Sequence, residues 1–201
     1  PLMNPMYAYG YQPNRIPVQK VYNVSLANPA GDHSSMSILY EDMLPGKDYA
    51  YSFEMAREAN LKLTNHAGEW GGSSSVWDTI NEIEVQRIGH GVQAINDPDL
   101  IKIISERKIV LELCPGSNVF LGVYPDLASH PIQKLRDQGV RLTVSTDDPP
   151  FFHTNMNKEY ENLAKTFGWV QADFLALHQV ALDAAFCDDL TKEKIIKQSN
   201  L

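Results

Sequence analysis

Two cysteines occur among the 201 residues, Cys114 and Cys187, so at most one disulfide can form. That excludes a small oxidised scaffold held by several bridges. Cys114 sits inside an apolar, strand-like run, and a reduced thiol of a cytoplasmic protein is the expectation. No apolar run approaches the roughly 18 residues of a membrane span. No basic start followed by an apolar stretch marks a secretory leader. Positive charge is in deficit, with 17 Lys and Arg against 25 Asp and Glu and a net charge of −8. Phosphate backbones need a basic surface, so nucleic acid is excluded as a partner; neutral small molecules and metal cations remain.

What is present is a chain that is 43% hydrophobic, enough for one sizeable core and too little for two large ones. Residues 1–48 read as an irregular segment rich in Pro and Tyr, holding six of the twelve prolines, which block helical periodicity. Within it VYNVSLA (21–27) reads as a strand. From residue 49 onward strands and helices alternate. Strands are expected at 61–65, 85–89, 109–114 and 141–146. Helices are expected at 47–60, 73–83, 97–107, 130–138, 158–167, 172–185 and 191–199. Asp97 caps its helix with Pro98 in the first position, and Gly139 stops another. Alternation of this kind is the pattern of parallel βαβ units.

Each strand ends in polar or turn-forming chemistry: HAGE, RIGHG, ELCPGSN and STDDPPFF. His66, His90, Cys114 and Asp147 follow one another at intervals of 24, 24 and 33 residues, room for one crossover helix per unit. In a barrel or in an open parallel sheet, the carboxyl ends of the strands gather on one side. Imidazole and carboxylate are the usual ligands of a hydrolytic zinc ion, and a further His and carboxylate can handle protons around it. Taken singly, HAGE and GHG could be structural turns, and STDDP an N-cap with a first-turn proline. At consecutive strand ends the shared-site reading is favoured. His130 is expected to cap a helix or lie at the surface, His178 to sit on a helix as core or surface, and His153 to border a pocket. Cys114 reads as a packed thiol.

The motifs TNHAGE, RIGHG, ELCPGSN and STDDP, in this order and spacing, resemble the second half of an adenosine deaminase. The stretches GVYPDLASHPIQKLRDQGVRLTVSTDDPPFFHT and FGWVQADFLAL resemble the bacterial enzymes of that family, and the likeness runs from about Asp48 to Gln198. The resemblance implies an α/β fold of the (β/α)8 TIM-barrel type, here an incomplete barrel holding about strands 4 or 5 to 8. It implies a Zn²⁺ cofactor with His66 and Asp147 as ligands, and Glu69 as the acid that protonates a purine ring nitrogen. His90 would orient and activate the attacking water, and Asp148 would bind the five-membered ring of the purine. A fainter likeness of PAGD makes Gly31 a substrate contact. The implied reaction is hydrolytic deamination of adenosine to inosine and ammonia. Adenine or AMP is the alternative substrate.

The chain departs from that family in one respect with physical consequences. The paired His-x-His ligands of the first barrel strand have no counterpart, because no H-x-H occurs among the six histidines. Zinc held by His66 and Asp147 alone falls short of the three or four protein ligands of a stable site. His33 is a weak substitute. A half-barrel also exposes strand edges and an inner face expected to be apolar. Another chain or a missing segment would then complete it, and the isolated chain is expected to be inactive or weak. The remaining alternative is a non-catalytic half-barrel that assembles through an apolar seam.

Overall fold

Apolar runs bounded by turn residues become strands, and the capped amphipathic runs between them become the crossover helices. The computed structural model describes residues 22–25, 35–38, 42 and 44–199. Gly31 and His33 lie outside the described residues. In chain order the elements are β1 (Tyr22–Ser25), β2 (Ser35–Ile38), α1 (Ala50–Glu58), β3 (Lys62–Ala67) and α2 (Gly72–Asp78). The last continues as a π-helical turn over Thr79–Ile83. Then come β4 (Arg87–His90), α3 (Pro98–Glu106), β5 (Val110–Leu113), α4 (Pro115–Phe120), α5 (Ile132–Asp137) and β6 (Arg141–Val144). The chain ends through α6 (Pro149–Phe152), α7 (Met156–Phe167), α8 (Gln171–Ala184) and α9 (Asp189–Ser199).

The sheet order is β1-β2-β3-β4-β5-β6, with β1 antiparallel to β2 and every later pair parallel. The fold is α/β, with the strand and helix order of a partial barrel. The segment read as a strand at 21–27 enters the sheet as β1. The parallel place before β3 is taken by β2, at Ser35–Ile38, whose four residues SMSI are too short to show a period. The cap predicted at Asp97 is formed: its Oδ1 accepts from the backbone N–H of Asp99 at 3.0 Å and of Leu100 at 3.1 Å. Gly139 ends α5 at φ +78°, in the left-handed region that glycine adopts without penalty.

One face of the sheet carries the core. Leu63 and Ala67 of β3, Ile88 of β4, Leu111 and Leu113 of β5, and Leu142 and Val144 of β6 are buried against the helices. Strand residues alternate sides, so the register assigns the other face. Thr64, Arg87, Val110 and Arg141 lie side by side in one row, and His66, Gly89, Glu112 and Thr143 in the next. This face was expected to be apolar and is not. Thr64 Oγ1 donates to Glu112 Oε2 at 2.7 Å, and Arg87 Nε lies 3.2 Å from Glu112 Oε1. The Arg87 guanidinium stacks 3.5 Å from the Phe186 ring centre. Arg141 Nη2 meets Asp183 Oδ2 at 3.1 Å. Among the described residues this face therefore carries Thr64, Arg87, Glu112 and Arg141 beside the buried Val110, a mixed surface in place of the apolar one expected.

This network makes a stability prediction. Glu112→Ala strips the half-buried Arg87 of its carboxylate and is expected to cost about 2 kcal/mol, whereas Glu112→Gln, which keeps both hydrogen-bonding positions, costs about 1 kcal/mol. Urea unfolding of the three proteins checks this; an alanine variant within about 0.5 kcal/mol of wild type means the network contributes little.

Candidate active site

The alternation that buries Leu63 and Ala67 turns His66 to the opposite, polar face. Its register partner on β4 is Gly89. A Cβ at Gly89 would lie 3.1 Å from His66 Cδ2, so the absence of a side chain there gives the imidazole its room. Past the strand, Gly68 turns the chain at φ +66°, and a Cβ would come within 2.4 Å of Val76 Cγ2. Only glycine fits both constraints.

The turn carrying Glu69 is wrapped around a carboxylate. Asp42 Oδ1 accepts from Gly68 N at 2.5 Å and from Ser75 Oγ at 2.5 Å. Its Oδ2 accepts from the N–H groups of Glu69 at 3.1 Å, Trp70 at 2.6 Å and Gly71 at 3.0 Å. Successive amides converging on one anion form a nest that sets the loop's shape. Asp42 is buried, and Glu69 is thereby aimed back over the strand ends.

There it meets residues from three other strand ends. His90 Nδ1 lies 3.5 Å from Glu69 Oε1, and His90 Nε2 lies 3.9 Å from Asp147 Oδ2. The His66 and His90 rings are 5.5 Å apart between centres. His90 at φ +62° and Asp147 at φ +56° both adopt the left-handed region, which costs a side-chain-bearing residue of order 1 kcal/mol or more. Asp147 Oδ2 accepts from Ser117 Oγ at 2.7 Å. Asp148 follows at the start of α6 and is exposed. Partial burial and the neighbouring Asp147 charge push its carboxyl above the usual range.

The electrostatics separate the members of this cluster. Burial is the main cause that pushes the Glu69 carboxyl up to about 7, with the Asp147 charge adding to it. Burial pushes the His90 imidazole down to about 3, helped by nearby His66. The Cys114 thiol is pushed well above its ordinary value by burial and by Asp147. His90, Cys114 and Asp147 each offer a donor atom, and these three atoms lie within 4.8 Å of one another. Such imidazole, carboxylate and sulfur donors suit a divalent cation of the zinc type. His66, named with Asp147 as a ligand from the sequence, borders this trio and is not one of its three donors.

Three further residues join the site. Asn118 is fully buried on α4, and its Nδ2 donates to Glu69 Oε1 at 2.9 Å. His130, expected at a cap or the surface, is buried and meets the helix start, its Nδ1 accepting from Ile132 N at 3.1 Å while Nε2 lies 3.2 Å from Asn118 Oδ1. Ser117 and Asn118 stand inside the ELCPGSN motif, which was the available signal. For Asp42 no local signal exists, because its partners lie 26 to 33 residues away. His153 is exposed beside Phe120, and His178 bonds Tyr160 Oη at 3.0 Å, away from the strand ends. No described helix is long and apolar enough to cross a membrane.

With this geometry in view, likeness to known proteins is informative. The profile of the adenosine deaminase family matches residues 40–200. An adenine deaminase of Rhizobium johnstonii is 52% identical over 149 residues, which are 74% of this chain and 46% of that protein. One from Agrobacterium fabrum is 49% identical over the same shares. The crystal structure of an adenine deaminase from Arthrobacter aurescens superposes with a TM-score of 0.74 at 27% identity, over 78% of this chain and 48% of that one. An amidohydrolase from Burkholderia ambifaria with bound Zn superposes at 0.68 with 30% identity, over 75% and 43%. The chain spans about half the length of the curated relatives it matches. On these matches and on the strand-end cluster, the chain belongs to the adenosine deaminase family.

Proposed function

We propose that this chain supplies the proton-handling side of a hydrolytic site that replaces the amino group of a 6-aminopurine by oxygen, releasing ammonia. We take adenine as the substrate in preference to adenosine. The observation that carries the reaction is Glu69: a carboxyl pushed up to about 7, held against His90 at the meeting of strand ends. A carboxyl of that kind retains a proton near neutrality and delivers it to a ring nitrogen as water adds. His90 lies between Glu69 and Asp147, placed to orient the attacking water. On this reading Asp148, exposed beside Asp147, receives the imidazole edge of the purine. The preference for adenine rests on the relatives named above, which are adenine deaminases at about half identity.

Asp147 and His66 would hold a divalent cation, with the remaining donors coming from outside the described residues. When bound, a zinc-type cation acidifies water towards a neutral pKa. In the metal-free chain burial pushes the Cys114 thiol up and it donates to Glu112 O at 3.6 Å, and we leave Cys114 out of the donor set. Metal analysis of the completed barrel after Zn²⁺ loading is expected to show uptake by Cys114→Ala equal to wild type and none by Asp147→Ala. Loss of metal in the cysteine variant would assign the trio His90, Cys114 and Asp147 as the ligands.

The substrate is tested by following ammonia release from adenine and from adenosine with Zn²⁺ present and the barrel completed. A kcat/KM at least about tenfold higher for adenine is expected, a difference of ~1.4 kcal/mol in transition-state binding. An equal or reversed ratio makes adenosine the substrate. Absence of release from either, in protein loaded with metal, overturns the deaminase reading.

A further inference from the structure

The hydrogen bonds around Asn118 can be assigned in direction from one unambiguous donor. The backbone N–H of Ile132 donates to His130 Nδ1 at 3.1 Å. A ring nitrogen that accepts carries no proton, so a neutral His130 bears its hydrogen on Nε2. That Nε2–H faces Asn118 Oδ1 at 3.2 Å, which fixes the side-chain amide with its NH₂ on the far side. The two hydrogens of that NH₂ then have two acceptors within reach: Glu69 Oε1 at 2.9 Å and His90 Nδ1 at 3.3 Å. His90 Nδ1 is therefore an acceptor, and the ring hydrogen sits on Nε2, on the side of Asp147 Oδ2. The 3.5 Å approach of His90 Nδ1 to Glu69 is thus not an ion pair, and it suits a carboxyl that keeps its proton.

We propose that Asn118 and His130 are positioning residues of this site: the Ile132 amide sets the His130 tautomer, His130 sets the Asn118 amide, and Asn118 holds Glu69 and His90 together while forcing His90 to present Nε2–H towards Asp147. In this tautomer His90 Nε2 carries hydrogen on the side of Asp147 Oδ2, which suits the water-handling role proposed above. The chain of bonds rests on geometry within residues 118–132 and the strand ends; its catalytic meaning rests on the deaminase reading given above. Asn118 and His130 are both buried, so solvent does not compete for these bonds.

The decisive measurement needs no turnover. In the metal-free, ¹⁵N-labelled chain at pH 7, long-range proton–nitrogen correlation spectra report which ring nitrogen of each histidine is protonated. His90 and His130 are both expected in the Nε2–H form. Asn118→Asp has no NH₂ to donate and offers an acceptor to His90 Nδ1, so the His90 proton is expected to move to Nδ1 while His130 keeps its own. Asn118→Ala is expected to leave His90 as a mixture. A wild-type His90 protonated on Nδ1, or a His90 unchanged in Asn118→Asp, overturns the proposal; the wild-type spectrum decides it even if a variant fails to fold. In the completed, metal-loaded enzyme, Asn118→Ala is expected to lower kcat about 10- to 100-fold with KM within about twofold. The assigned tautomers in a wild-type protein that releases no ammonia overturn the deaminase reading alone and leave the bond chain standing.

Discussion

Replacing Glu69 by glutamine should lower the release of ammonia from a 6-aminopurine by about 10²- to 10⁴-fold, the range lost when a positioned general acid is removed. Metal content should be unchanged, because Glu69 is not among the proposed ligands. Glutamine fills the same volume and still accepts from Asn118, so the loss isolates the proton. A variant that keeps near-normal kcat removes Glu69 from the proposed chemistry. The same carboxyl predicts a pH profile: as Glu69 loses its proton through about 7, activity should fall on the alkaline side.

The raised pKa also has a stability signature in the metal-free chain. Its folded value, about 7, lies above the usual 4.5. Between those values the folded state holds a proton that the unfolded chain has released, so stability falls as pH rises across this window. The stability is fully present below pH 4.5, and its loss is complete above about 7. The total is about 3 kcal/mol for a shift of this size. The Glu69 side chain is 13% exposed, so solvent screening trims little from that figure. Glu69→Gln cannot ionise and should flatten this part of the curve. Urea unfolding at pH 4.5 and pH 8 reads the difference; parallel slopes for wild type and variant would show that Glu69 titrates normally.

The second large effect is expected at Asp42, a residue that touches no proposed substrate. Its carboxylate gathers four consecutive N–H groups and the Ser75 hydroxyl. Charge-assisted bonds of this kind contribute more than neutral ones, and their donors lose a partner when the carboxylate goes. Asp42→Ala should therefore cost about 3 kcal/mol; the single contributions do not add. Asp42→Asn keeps one acceptor oxygen and should lose roughly half as much. Amide exchange at residues 68–71 should accelerate in both variants before the β3 to β6 strands are affected, because the loop opens locally. Asp42→Ala within about 1 kcal/mol of wild type, with protected loop amides, would show that the turn holds its shape without the nest.

Particular elements show where reading the sequence succeeds. Val110–Leu113 is a strand because a short apolar run followed by Cys-Pro-Gly has no other compact use. The α3 helix starts where Asp97-Pro98 says it should. His66, His90 and Asp147 were placed at strand ends by counting from one apolar run to the next. The helix α4 was missed, since six residues beginning at a proline show less than two turns of period, and Ser117 and Asn118 went unassigned with it. The polar character of the face bearing Thr64, Arg87 and Glu112 was misjudged. Which half of an alternating strand turns inward depends on what covers the other half.

The alternation of the β3 to β6 strands with their longer helices, and the identity of the residues standing at the strand ends, belong to the sequence alone, because both follow from side chains within a few positions of one another. The meeting of Asp42 with the 68–71 amides, of Asn118 with Glu69 across 49 residues, and of His130 with Asn118 was decided only by the tertiary structure. Hydrogen bonds reach about 3 Å and have direction. Whether such groups come within that reach is set by sheet register and helix packing, which no local stretch of the chain encodes.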